Sequence, residues 1–382
     1  MRELLDTLAE WDRAGIVPGR AVVVRSFGSA PRPEGAVLLG GPDGRIAGSV
    51  SGGCVEGAAY EEIEQARSSG RSRVIRYGIS DEQAWDVGLA CGGTIDVLVE
   101  PAVAPEVRLA AASPGAGEGG RAVVTLLPAD SPPPAFGAHE PGPGAPPAPR
   151  LVVADDGRLE GTTGDAAVDA VLVAAAAEVL ERGRSRTVEA GDRQYFVEGY
   201  PVRPRLVIVG AVEVARSLDR LARELGYETI VIDGRASFAT RERFPDADRL
   251  IVGWPDEVAG DIGLGPHDAV AVLTHDVKFD EPAIVEALRR GCRYVGAVGS
   301  RKTQADRRER LRSAGVSDAE LARLRGPIGL DLGGREPAET ALAILAEVVA
   351  ARYGGTGEPM RDRAARTEPV RMVEADVPIS AG

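Results

Sequence analysis

Two cysteines carry the most reactive side chains of this sequence, and each borders a glycine pair. They stand in Ser51-Gly52-Gly53-Cys54-Val55-Glu56 and in Ala90-Cys91-Gly92-Gly93. The first stretch reads as a glycine-rich turn entering a helix, where unpaired N–H groups and the helix dipole favour a thiolate. Its glycines would let the backbone approach a ligand closely. Taken singly, either cysteine is better explained as a small buried hydrophobe. Two with the same flank point to function. Cys292 follows Gly291 at the end of an expected helix and reads as structural. Zinc is disfavoured, because close ligand pairs are missing and the N-terminal half has a single histidine, His139.

A second group lies in the C-terminal half. Arg205-Leu206-Val207-Ile208-Val209-Gly210 reads as a buried strand, and Asp233 ends the next strand, about where a dinucleotide fold places its ribose-binding acid. The glycine fingerprint is broken. Val212 stands where a glycine must admit a pyrophosphate, and Glu213 adds like charge beside it. Two further stretches belong at C-terminal strand ends, where such sheets place ligands. One is Thr274-His275-Asp276-Val277-Lys278-Phe279-Asp280. The other, Gly299-Ser300-Arg301-Lys302, has the glycine, hydroxyl, cations and following helix of an anion site. The plain alternatives are a hydrogen-bonded structural imidazole at His275 and a solvated helix start at Arg301 and Lys302.

The elements that must position these residues fall into two sets. In the first, a helix carrying Leu4, Leu5, Leu8 and Trp11 precedes a strand at 21–24, a hairpin through Asp43-Gly44 and a helix over about 54–67. Strands follow near 74–75 and over 94–99. Asp43-Gly44-Arg45-Ile46-Ala47-Gly48-Ser49 is echoed by Asp156-Gly157-Arg158-Leu159-Glu160-Gly161-Thr162, and Gly70-Arg71-Ser72-Arg73 by Gly183-Arg184-Ser185-Arg186, both at an offset of 113. The constant offset predicts a duplicated hairpin–helix–strand unit. Ala167 replaces Cys54 in the second copy, and Asp165-Ala166 replaces the Gly52-Gly53 pair. The chemistry is therefore expected in the first copy alone.

Residues 128–149 hold nine of the 27 prolines and no Ile, Leu or Val, so they are expected to be extended or disordered. Strand-like flanks make them a loop inside the first domain. Strands then alternate with helices from 205 onward, which predicts a parallel sheet with right-handed crossovers. One of those helices is expected over 282–290, and the last from Pro337 to about Tyr353. The fold class is thus α/β: an N-terminal domain (1–202) with internal duplication, a Rossmann-like domain (203–354) and a disordered tail (355–382).

The formal charge of -13 in 382 residues opposes a nucleic-acid partner. Three cysteines cannot build a disulfide framework. The residues after Met1 lack a signal-peptide core, and the longest apolar run, 170–177, is far short of the ~18 residues of a membrane span. These features predict a soluble, reduced, cytoplasmic protein. Only two of the 45 basic residues are lysines, Lys278 and Lys302, and both fall in the strand-end motifs.

Taken in order, these motifs resemble the XdhC/CoxI family, the accessory factors of molybdenum hydroxylases. The likeness rests on Gly28-Ser29-Ala30-Pro31-Arg32, the stretch from Gly48 to Glu56, Cys91-Gly92-Gly93, Leu273 through Asp280, Gly299 to Lys302 and Pro327-Ile328-Gly329-Leu330-Asp331. It implies a chaperone, typically dimeric, that binds molybdenum cofactor (molybdopterin), supports its sulfuration with a cysteine desulfurase and delivers it to an apo-hydroxylase. Cys54 and Cys91 would contact the molybdenum or relay sulfur, beside Ser51, Gly52, Gly53, Glu56, Gly92 and Gly93. In the second domain Gly210, Asp233, Asp276 and Lys278 are further candidates for cofactor binding, and His275 is a candidate catalytic residue. Gly299, Ser300, Arg301 and Lys302 would hold the phosphate. Two alternatives stay open: an NAD(P)-dependent oxidoreductase using Asp233 and His275, and a scaffold that docks a hydroxylase without holding cofactor.

Overall fold

The computed structural model describes residues 1–28, 30, 32–78, 93–112, 119–133 and 139–362. The chain divides into two compact units, Met1–Arg203 and Pro204–Gly382.

Unit 1 contains α1 (Leu5–Arg13), β1 (Gly19–Phe27), β2 (Val37–Gly40), β3 (Ile46–Gly48), α2 (Glu56–Ser69), β4 (Arg73–Tyr77) and β5 (Thr94–Glu100). It continues with α3 (Pro105–Ala112), β6 (Arg121–Leu126), β7 (Arg150–Ala154), β8 (Leu159–Glu160), α4 (Ala166–Arg182), β9 (Arg186–Ala190) and β10 (Arg193–Tyr200). These strands build two antiparallel sheets of the same topology, β3-β2-β1-β5-β4 and β8-β7-β6-β10-β9. The duplication extends to register. Leu39 pairs with Ala47 in the first hairpin, and Val152 with Glu160 in the second, each shifted by 113 residues. Sequence comparison detected only the hairpin, helix and one strand of each copy. The structure adds the two central strands, whose connections differ in length.

Alternation along the strands explains the layering. Ala21 and Val23 face a core shared with Ala59 and Ile63 of α2. Their neighbours Val22 and Val24 face the opposite way, into a core with Val123 and Phe196 of the second sheet and with Leu4, Leu8 and Trp11 at the N-terminus. Ala122 and Val124 in turn pack on Leu172 and Ala176 of α4. Unit 1 is therefore helix, sheet, sheet, helix.

A charged cluster sits between the two sheets. Arg20, 1% exposed, donates to Glu100 at 3.1 Å and also to Glu198. Arg150 donates to the other oxygen of Glu100, and the Tyr200 hydroxyl donates to Glu198 at 2.6 Å. The two glutamates are register equivalents: Glu100 lies opposite Arg20 on β1, and Glu198 opposite Val123 on β6. One arginine of the first copy thus ties together matching acids of both.

The proline-rich residues connect β6 to β7. In its described parts this segment turns at Ala129 and Asp130 and is pinned by hydrogen bonds: Arg25 donates to the Pro132 carbonyl at 2.9 Å, Arg76 to that of Pro133 at 2.8 Å, and Ser72 pairs with Ala145 in a short antiparallel bridge. It has no Ile, Leu or Val to add to a core, yet these bonds attach it.

Unit 2 contains β11 (Arg205–Val209), α5 (Glu213–Glu224), β12 (Glu228–Asp233), β13 (Arg249–Val252), α6 (Pro255–Ile262), β14 (Ala269–Val272), α7 (Val277–Arg289) and β15 (Tyr294–Ala297). Then come α8 (Arg301–Ser313), α9 (Asp318–Leu321), β16 (Leu324–Arg325) and α10 (Pro337–Tyr353). Every strand pair is parallel, in the order β13-β12-β11-β14-β15-β16, which is the Rossmann arrangement with its switch point between β11 and β14. One expected boundary is corrected. The helix expected over 282–290 starts at Val277, because the Asp276 carboxylate accepts from the Lys278 N–H and caps it. Pro282 lies inside that helix rather than at its start. Beyond α10, residues 355–362 include a short 3-10 turn at Met360–Asp362. The rest of the expected tail lies outside the described residues.

Arg20→Met would leave two buried glutamates short of their counter-charge between the sheets. The variant is expected to lose about 3–5 kcal/mol of unfolding free energy, read from urea denaturation; an unchanged midpoint would contradict the role given to this cluster.

Candidate functional site

Cys54 precedes α2 on a turn whose donors converge on one carboxylate. Glu56, the first residue of the helix, folds back into the loop before it. The hydroxyls of Ser49 and Ser51 each donate to it at 2.6 Å. The N–H groups of Val50, Ser51, Gly52 and Gly53 donate at 2.8 to 3.2 Å. The Ser51 hydroxyl oxygen also accepts from the Cys54 and Val55 N–H groups, at 2.9 and 3.0 Å. Burial alone would raise the Glu56 carboxyl, but donation by Ser49 and Ser51 prevails and brings it down to about 2.

This arrangement reassigns the glycine turn. Its N–H groups form a nest that the chain itself fills, so the donors of Ser51, Gly52 and Gly53 face an internal anion. What remains open is the thiol. Cys54 is exposed, and a Cβ built on Gly52, Gly53 or Gly57 would meet nothing within 4 Å. Gly52 and Gly53 adopt φ of 84° and 119°, conformations that an L side chain resists. The turn therefore presents a sulfur on an uncluttered, rigid platform.

The second copy repeats the device without the sulfur. Asp169, equivalent to Glu56, accepts from the hydroxyls of Thr162 and Thr163, each at 2.6 Å, and from the Thr163 N–H at 2.9 Å. Ala167 occupies the cysteine position, and Asp165 caps the helix. The internal carboxylate is thus common architecture, whereas the thiol and the glycine pair are specific to the first copy. Cys91 and Gly92 lie outside the described residues, and Gly93 precedes β5. Cys292 is buried beneath the sheet of unit 2, where desolvation pushes its thiol up to about 12.

In unit 2 the sheet gathers the expected residues at its C-terminal edge. Gly210 follows β11, with φ 107°, and a Cβ there would come within 2.3 Å of Thr274 across the switch point. Asp233 does not present itself to a ligand. Its carboxylate accepts from the Ala211 N–H at 2.8 Å and from the Arg235 N–H, Nε and guanidinium at 2.9, 2.8 and 2.7 Å. Those four donors saturate its lone pairs. Burial opposes ionisation, yet the Arg235 bonds outweigh it and hold the carboxyl below its usual range. Val212 caps α5 in extended backbone, and Glu213 in the first turn pairs with Arg216. The residues present therefore do not fit a dinucleotide in the ordinary mode: the ribose acid is closed by an arginine, and the pyrophosphate position faces a carboxylate.

The neighbouring strand ends are more open. His275 and Lys278 after β14, and Arg301 and Lys302 after β15, are all exposed, and their side chains make no hydrogen bond or ion pair among the described residues. The two strands are adjacent, with Val272 opposite Ala297. Beneath them a buried chain of contacts fixes the segments. Thr274 donates to Asp280, which pairs with Arg307 at 3.1 Å, and Arg307 donates to the Val298 carbonyl at 3.0 Å. Ser300 caps α8 by accepting from the Thr303 N–H at 3.2 Å. The result is a rim with a histidine and three cations, seated on a rigid base. Sequence reading found the rim but missed Asp280 and Arg307 as its support; the signal was an acid and an arginine on successive helices, which no spacing rule connects.

Among the described residues no cluster of three or more His, Cys, Asp or Glu could hold a metal ion, and no helix is long and apolar enough to cross a membrane.

Comparisons with known proteins agree with both units. Residues 206–348 match the family described as the XdhC Rossmann domain. Residues 11–78 and 137–191 match the XdhC and CoxI family, a span that includes Cys54 and leaves out Cys91. A protein of Bacillus subtilis (strain 168) named as a probable xanthine dehydrogenase subunit is 28% identical over 351 residues, covering 91% of this chain and 96% of that protein. A protein of Escherichia coli (strain K12) named molybdenum cofactor insertion chaperone PaoD is 27% identical, covering 86% of this chain and 82% of its own length. A crystal structure described as a xanthine dehydrogenase from Bacillus halodurans superposes with a TM-score of 0.70 over 96% of this chain and 98% of that one. At 24% identity it attests the fold.

Glu56→Gln would replace an acceptor-only group by an amide whose NH2 faces donors. It is expected to cost about 2 kcal/mol, seen as a lowered thermal midpoint, with faster proteolysis next to Cys54. Because the folded carboxyl is depressed, its contribution is complete above the ordinary glutamate range and fades as pH falls from about 4.5 towards 2. The wild-type and Glu56→Gln melting curves should therefore converge on acidification. A gap that stays constant to pH 2.5 would exclude the nest as its origin.

Proposed function

The chain belongs to the XdhC and CoxI family, and from that premise we propose that it is an accessory protein that carries molybdenum cofactor to a molybdenum hydroxylase. The observation that supports this most directly is Cys54. It is an exposed thiol on a preorganised platform, present in one copy of a duplicated fold and replaced by Ala167 in the other. A soft sulfur donor suits molybdenum, and a rim of exposed cations suits the phosphate of a phosphorylated pterin.

In this reading the cofactor is cargo. Cys54, with Cys91, contacts the metal or relays sulfur while a cysteine desulfurase completes the cofactor. Unit 2 supplies a phosphate site of its own, in which Gly299, Ser300, Arg301 and Lys302 hold the anion, with Lys278 adding charge and His275 a ring nitrogen. Glu56 acts through the turn, keeping Cys54 presented. Delivery to the apo-hydroxylase is direct, from a homodimer in the cytoplasm. Asp233, closed by Arg235, serves the architecture of the crevice, so the oxidoreductase alternative has no acid left for a ribose.

Molybdenum and pterin analysis of the protein purified from a cofactor-producing host tests the reading. Near-stoichiometric cargo is expected, and Cys54→Ala is expected to lose at least tenfold of it while melting as the wild type does. Activation of a partner hydroxylase should fall in parallel. A protein that purifies without pterin yet still activates its partner would instead be a docking scaffold.

A further inference from the structure

Unit 1 contains a second candidate site, remote from Cys54. A cavity of about 440 Å³ opens where the two sheets part, between β5 and the ends of β6 and β10. The volume lies within the range of small-molecule sites. Its inner wall is Leu98 and Glu100 from the first sheet and Thr125 from the second, and its outer wall is the proline-rich segment. Ser72 immediately precedes β4, past the C-terminal end of α2, whereas Cys54 lies before its start. The 14 residues of that helix put roughly 20 Å between them.

Two hydroxyls mark it as more than a packing gap. Ser72, 5% exposed, lines the cavity, and its Oγ is buried without a hydrogen-bond partner; so is the Oγ of Ser131, which also lines it. Such groups cost free energy unless something in the cavity pairs with them. The backbone of Ser72 is held firmly, since its N–H and carbonyl exchange bonds of 2.7 and 2.8 Å with Ala145. Gly144 is fixed through the Asp130 carboxylate at 2.9 Å. The backbone that carries the Ser72 hydroxyl is thus preorganised.

The lining also defines the ligand. Glu100 is neutralised between Arg20 and Arg150, and the other charged residues at the cavity, Asp192 and Arg193, are exposed and opposite in sign. An uncharged ligand is therefore favoured. Pro146 and Pro147 bring no N–H, and the Ser72 and Ser131 hydroxyls can accept as well as donate, so a ligand with donors of its own suits the lining. Leucine and pyrrolidine faces suit a flat ring, and the polar groups are too few to match a sugar. We propose that this cavity binds an uncharged planar heterocycle carrying N–H or amino donors, of purine or pteridine size, hydrogen-bonded by Ser72 and Ser131.

The proposal is independent of cargo binding at Cys54, and titration calorimetry on the full chain separates the two. Adenine and pterin are the probes, with adenosine 5′-monophosphate as the charged control. Saturable binding of adenine or pterin is expected, and whichever binds more tightly identifies the ring class. Ser72→Ala should weaken it about tenfold. Ala129→Phe, which fills the cavity from the surface loop, should abolish it, and Cys54→Ala should leave it unchanged. No saturable heat from either probe would overturn the proposal. So would binding that survives both cavity variants, or equal binding of the monophosphate.

Discussion

Backbone donors in a tight glycine turn must be paired, and in this protein a carboxylate of the chain itself pairs them. Glu56 collects two hydroxyls and four N–H groups into one nest at the start of α2. That interaction determines where Cys54 points, why Gly52 and Gly53 can hold positive φ, and why the turn is not an open anion site. A helix N-terminus rich in glycine usually invites a phosphate. Here an internal anion satisfies it first, and the exposed group left at the turn is the sulfur of Cys54.

Duplication explains how such a turn arose beside an inert twin. Both copies keep an acid, two hydroxyl residues and a hairpin in the same register, because these build the loop. Only one copy keeps the thiol and its glycine pair. The copies are held together by apolar residues facing between the sheets and by one arginine bonded to the equivalent acids Glu100 and Glu198. Divergence is concentrated in the connections. The β4–β5 link of the first copy is long and carries Cys91, whereas its counterpart is a tight turn at Gly191-Asp192. The β6–β7 link carries the prolines.

Unit 2 is a dinucleotide-type fold whose ribose acid is closed. Strand order and switch point are those of a Rossmann sheet, yet Arg235 saturates the acid that would bind a ribose. The open groups have shifted one strand over, to the ends of β14 and β15, where the buried Asp280–Arg307 pair supports them.

Much of this was legible in the residues themselves. Hydrophobic alternation and turn residues located most strands, and the constant offset of 113 exposed the duplication, because pattern and turn chemistry are local properties. The broken fingerprint at Val212 already argued against a dinucleotide. Other features depend on groups distant in sequence or on side-chain direction, which spacing does not encode. Glu56 read as a cofactor-binding residue beside a cysteine, and only the fold turned its carboxylate back into the loop. Arg20, Glu100 and Glu198 span 178 residues and meet because two sheets pack face to face. The proline-rich segment read as extended or disordered; hydrogen bonds from Arg25, Arg76 and Ser72 to its backbone decided that it is anchored. The sequence by itself determined which residue types stand at the turns and strand ends. The tertiary structure decided which of them remain available, since a donor or acid is free only when no neighbour in space has already paired with it.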